Sequence, residues 1–132
     1  MGLNALKNNS NFAYLYRMNL CLNWEVIGMV KVMPLRVGEW TAIGVEVLLP
    51  KTTLLAVTAG PGYIMCGALD VQLLNERLKD RAIVAGRAVG VKTIEQLLDA
   101  PLESVTDAAQ ALGITAGMRG REAIRIMSEA AS

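Results

Sequence analysis

The stretch GYIMCGALDVQLLNERLKDRAIVAG, residues 62–86, changes its hydrophobic period twice. Tyr63 to Cys66 is a short run that is apolar on both faces, as a central strand is. Asp70 then offers a helix cap, and Val71, Leu74 and Leu78 form an i, i+3, i+7 stripe opposite Asn75, Glu76, Lys79 and Asp80. Ala82 to Gly86 is again a short apolar run. A strand, a helix and a strand within this length predict a βαβ crossover, with the last strand parallel to the first of the pair.

Upstream, Val32–Val37 and Trp40–Leu49 read as strands, Ile43, Val45 and Val47 alternating with Ala42, Gly44 and Glu46. Gly38-Glu39 is a two-residue hairpin connection, Pro50-Lys51-Thr52 a turn, Leu54–Thr58 a third strand closed by Gly60-Pro61-Gly62. Short links throughout predict an antiparallel meander. Downstream, Thr93 and Gln96 fit a capping box for a helix ending near Asp99. Pro101 is placed to open a second helix that stops at Gly113. After a loop at Gly117–Gly120, a last helix is expected from about Arg121 to Ala130. The expectation is an α+β fold: a mostly antiparallel sheet of about five strands, one βαβ crossover and two to three C-terminal helices.

Residues 1–28 have a different texture, rich in Asn, poor in Gly and charge, and without sustained periodicity. Trp24-Glu25-Val26-Ile27-Gly28 can be encoded through GGGAGGTGATH, a bacterial ribosome-binding sequence about eight nucleotides ahead of the Met29 codon, so the segment reads as an upstream extension or an arm. Residues 29–132 are the expected single domain.

The composition narrows the chemistry. The 132 residues are 53% hydrophobic with few aromatics, so the core must be built from Ala, Val, Leu, Ile and Met. There is no histidine, which excludes Ser-His-Asp and Cys-His catalysis and histidine metal sites within one subunit. Cys21 and Cys66 form no CxxC, so neither a thiolate metal site nor a disulfide is expected, in keeping with a reducing, cytoplasmic compartment. A net charge of +1 without a basic stripe speaks against nucleic acid and against a polybasic membrane anchor. No apolar run is long enough to span a bilayer, and no motif calls for a cofactor. So much apolar side chain with so little charge also favours a homodimer.

Three segments could carry chemistry. Cys66 ends a strand just ahead of a helix, where a thiolate nucleophile or redox thiol would be favoured; the alternative is a small buried hydrophobe. In GRAVGVKT, residues 86–93, Arg87, Lys92 and the amides near Thr93 could hold an anion, although the spacing is not that of a P-loop. The alternative is a turn with Arg87 in an ion pair. In GMRGREA, residues 117–123, Arg119 and Arg121 reach a helix start, as in a weak phosphate or nucleic-acid contact or an ordinary helix-end salt bridge. If the two glycine loops met on one edge of the sheet, they would form a pocket for a phosphate or carboxylate.

The same segments, GYIMCGALD at 62–70, AGRAVGVKTIEQLL at 85–98, APLESVTDAAQALGI at 100–114 and GMRGREAI at 117–124, resemble the YunC-like family of small bacterial and archaeal proteins, a domain of unknown function. The resemblance runs from about Val32 to the C-terminus. It implies an α+β fold of this length and brings no activity, cofactor or catalytic residue. The functional expectation is a small ligand-binding or regulatory protein that takes an anionic molecule. The alternatives are an enzyme using Cys66 and weak nucleic-acid binding through the 117–123 loop.

Overall fold

A computed structural model describes residues 29–131; the expectation about residues 1–28 lies outside them. Six strands form one sheet in sequence order: β1 (Met29–Val37), β2 (Trp40–Leu49), β3 (Thr52–Ala59), β4 (Gly62–Met65), β5 (Val84–Arg87) and β6 (Ser104–Val105). The two-residue link between β1 and β2 can only join antiparallel neighbours. β3 and β4 are antiparallel, Ala59 opposite Gly62. β4 and β5 are parallel, Gly62 opposite Val84 and Met65 opposite Arg87. β6 returns antiparallel to β5. The larger of two units comprises Lys31–Val47 and Thr53–Ser132. In the smaller unit the described residues are Met29–Val30 and the turn segment Leu48–Thr52, where Lys51 has φ of 63°.

The crossover between the parallel strands contains helix α1 (Val71–Glu76). It starts where Asp70 accepts a hydrogen bond from the Leu73 N–H at 3.0 Å, relieving one of the unpaired amides of the first turn. A single 3-10 turn, Lys79–Arg81, leads through left-handed Ala82 into β5. Three more helices follow: α2 (Ile94–Asp99), α3 (Asp107–Ala111) and α4 (Gly120–Ala131).

Alternation along the strands sorts the core into two clusters, since successive side chains point to opposite faces. Ile64, Val84 and Leu55 pack with Leu97, Leu98, Ile124 and Met127 in the main cluster. Tyr63, Met65 and Ala85 turn the other way and pack with Leu69, Val71 and Leu74 around α1. Helices thus cover β4 and β5 on both faces, as a parallel pair requires. Gly120 opens α4 because nothing larger fits: a Cβ there would stand 2.4 Å from the Leu97 carbonyl oxygen and 2.8 Å from Ile64.

The helix expected from Pro101 to Gly113 is not formed as one piece. Pro101 pairs with Arg119, the Leu102 N–H donates to the Met118 carbonyl and the Glu103 N–H to that of Arg87. Residues 101–105 are therefore drawn out as an extended segment, which adds the sixth strand. Local preference for helix is worth only tenths of a kcal/mol per residue, less than the sheet bonds this segment gains. The helix begins later, at Asp107, with Thr106 as its cap.

Thr106 is the hub of that corner. Its hydroxyl, 2% exposed, donates to the Ile83 carbonyl at 2.6 Å and accepts from the N–H groups of Ala85 at 3.1 Å and Ala109 at 3.3 Å. One side chain thus caps α3 and ties it to β5, and every hydrogen-bonding site of a buried hydroxyl is used.

Candidate functional site

The carboxyl ends of β4 and β5 carry the loops 66–70 and 88–93. Cys66 extends the β4 ladder, its N–H donating to the Leu55 carbonyl at 3.1 Å. Its side chain belongs to the main core cluster, beside Ala88 and Ile64 on the side of the sheet covered by α2 and α4. Four residues separate it from the first residue of α1, and it is buried.

Arg87 ends β5 on the other face. Its Nη1 meets Glu103 Oε1 at 3.3 Å, and the same carboxylate oxygen accepts from the Ser104 hydroxyl at 2.8 Å. Arg87 Nε is buried and has no hydrogen-bond partner. Gly67 leaves room beside this side chain: a Cβ there would lie 3.9 Å from Arg87 Nη2 and 3.7 Å from Val89. Among the described residues, the N–H groups of Gly67, Ala68, Val89 and Gly90 make no hydrogen bond. Gly90, at φ 75°, turns the second loop in a conformation most residues avoid. A third-exposed guanidinium with an unused donor and two short runs of open amides therefore lie together at the carboxyl ends of β4 and β5, the end of the sheet where parallel strands place ligands.

The remaining candidates are engaged otherwise. Thr93 Oγ1 accepts from the Gln96 N–H at 3.0 Å, and Gln96 Oε1 reaches back to the Lys92 N–H at 2.7 Å. The expected capping box is present with its return bond shifted by one residue, so these groups serve α2. Arg121 Nη2 bonds Asp99 Oδ1 at 3.1 Å, closing the far end of the same helix. Arg119 is exposed, its backbone paired to Pro101. The two glycine loops thus attach to opposite ends of α2, about 9 Å apart at 1.5 Å per residue. No hydrogen bond or ion pair among the described residues joins Arg87 or Lys92 to Arg119 or Arg121.

Glu103, which holds Arg87, is sixteen residues away and gives no sequence signal. Thr106 could have been found, since Thr-Asp before an apolar run is a helix-start signature. Among the described residues no cluster of side chains suited to a metal is present, and no helix is long and apolar enough to cross a membrane.

The architecture defines a small α+β protein on a six-stranded mixed sheet with one βαβ crossover. Residues 65–127 match the DUF1805 family, described as a domain of unknown function, and the chain belongs to this family. It is 64% identical over 96 residues to the uncharacterized protein YunC of Bacillus subtilis (strain 168), across 73% of this chain and 95% of that protein. Its fold is similar to the crystal structure of TA1206, a protein of unknown function from Thermoplasma acidophilum. The TM-score is 0.68 at 27% identity, over 76% of this chain and 94% of the other.

Proposed function

We propose that the protein binds a small anionic ligand, a phosphate- or carboxylate-bearing molecule, at the mouth between loops 66–70 and 88–92, with Arg87 as the charged anchor. The supporting observation is the Arg87 side chain itself. Its Nε is buried without an acceptor, a condition that costs about 1–3 kcal/mol unless a partner is supplied. Glu103 fixes Nη1 and leaves Nη2 toward the space above Gly67. An anion seated there would meet a guanidinium fork and the open amides of both loops. Binding is preferred to thiol catalysis because Cys66 and Arg87 lie on opposite faces of the sheet. The uncovered apolar side chains of the meander, Val32 at 67% and Ile43 at 47% exposure, support self-association, to be read by sedimentation velocity across a concentration series.

Thermal unfolding against phosphate, citrate and ATP, at ionic strength matched with sodium chloride, tests the site. An anion at a hundred times its Kd is expected to stabilise by about 2.7 kcal/mol. Arg87→Lys keeps the charge and loses the fork, so most of that gain is expected to disappear while circular dichroism stays native. The proposal is rejected if no anion outperforms chloride, or if Arg87→Lys responds as the wild type does.

A further inference from the structure

A second concavity lies away from this mouth, between the β1–β2 turn and α4. It is a half-open depression of about 390 Å³, lined by Val37, Gly38, Glu39 and Trp40 on one side and by Arg121, Glu122, Arg125 and Glu129 on the other. That volume is in the range of small-molecule sites, and the lining states what kind of molecule suits it.

The cations of the lining already have acceptors. Arg125 gives one terminal nitrogen to Glu122 and the other to Glu129, and Arg121 is held by Asp99. Arg125 is in consequence harder to deprotonate than usual, and Glu122 harder to protonate. Acceptors remain: Glu39 makes no hydrogen bond or ion pair with any described residue, and Glu122 engages Arg125 through Oε2 alone. With Arg121 held by Asp99 and Arg125 by Glu122 and Glu129, Glu39 is a carboxylate of the wall that neither guanidinium group engages. The turn adds the half-buried indole of Trp40, whose π face attracts cations. A carboxylate left without a partner and an indole in one concavity match a positively charged ligand.

We propose that this cavity is a binding site for a small organic cation, a primary amine or quaternary ammonium compound, held between Trp40 and the carboxylate of Glu39. It shares no residue with the Arg87 mouth and does not depend on it.

The test uses the full chain carrying Trp24→Phe, so that Trp40 alone reports by its emission. Choline and spermidine chloride are titrated against sodium chloride of equal ionic strength. The expected result is saturable quenching by at least one of the two and none by sodium chloride. Glu39→Gln, a change on an exposed turn, is expected to weaken binding about tenfold through the loss of a charged hydrogen-bond acceptor. Calorimetry on Trp40→Leu, with folding checked by circular dichroism, is expected to show no binding; if that variant does not fold, Glu39→Gln decides alone. The site does not exist as described if neither cation saturates below about 10 mM, or if Glu39→Gln binds as tightly as its parent.

Discussion

Replacing Thr106 by valine keeps the shape of the side chain and removes its hydroxyl. Three bonds are lost together: the donation to the Ile83 carbonyl and the acceptances from Ala85 and Ala109. Loss of a helix cap costs about 1 kcal/mol. A buried backbone group left without a partner adds about 1–3 kcal/mol. Thr106 is 2% exposed, so water cannot reach in to substitute. The expected destabilisation is therefore about 2–4 kcal/mol, measured as the change in unfolding free energy in urea. Thr106→Ser is the control: it keeps every bond and loses one methyl group, which costs about 1 kcal/mol. The reasoning is refuted if the valine variant loses less than the serine variant, because packing rather than hydrogen bonding would then hold this corner.

Two further outcomes follow from side chains outside that corner. The Cys66 thiol, packed in the main cluster, is expected to alkylate only as fast as the protein unfolds; rapid modification of the native protein would mean that the loop opens to expose it. Glu122, held below its ordinary 4.5 by the hydrogen bond from Arg125, stabilises the folded state fully above that ordinary value. Its contribution is lost as pH falls through the lowered folded value, so Glu122→Gln is expected to flatten the acid limb of the stability profile below pH 4.5. An unchanged acid limb would show that the pair with Arg125 does not persist in solution.

The parts of the fold written in local chemistry were legible. Gly38-Glu39 and Gly60-Pro61 announce hairpins, Asp70 and Thr93 announce helix starts, and the change of period from Tyr63 to Val84 announces the crossover. Reading failed where a distant partner outweighed a local signal. Pro101 is a good first helical residue, yet Met118 and Arg87 capture the backbone on either side of it and extend the segment. The candidate site shows the same division. The sequence placed Cys66 and Arg87 at one end of two adjacent strands, which is where they lie. It could not show that they occupy opposite faces, since Tyr63–Cys66 is apolar on both. Nor could it show that Arg87 is braced by Glu103, or that the loop at 117–120 docks at the end of α2 remote from Thr93. The juxtaposition of the β1–β2 turn with α4 links residues some eighty positions apart, and no spacing rule reaches that far.

The most direct measurement of the anion site is a phosphate titration followed by amide chemical shifts in the full chain, at constant ionic strength. The largest saturable changes are predicted at the amides of Gly67, Ala68, Val89 and Gly90 and at the Arg87 Nε–H, with little change at Arg119 and Arg121. Shifts that do not saturate, or that centre on the 117–121 loop while the β4 and β5 ends stay still, would contradict the account.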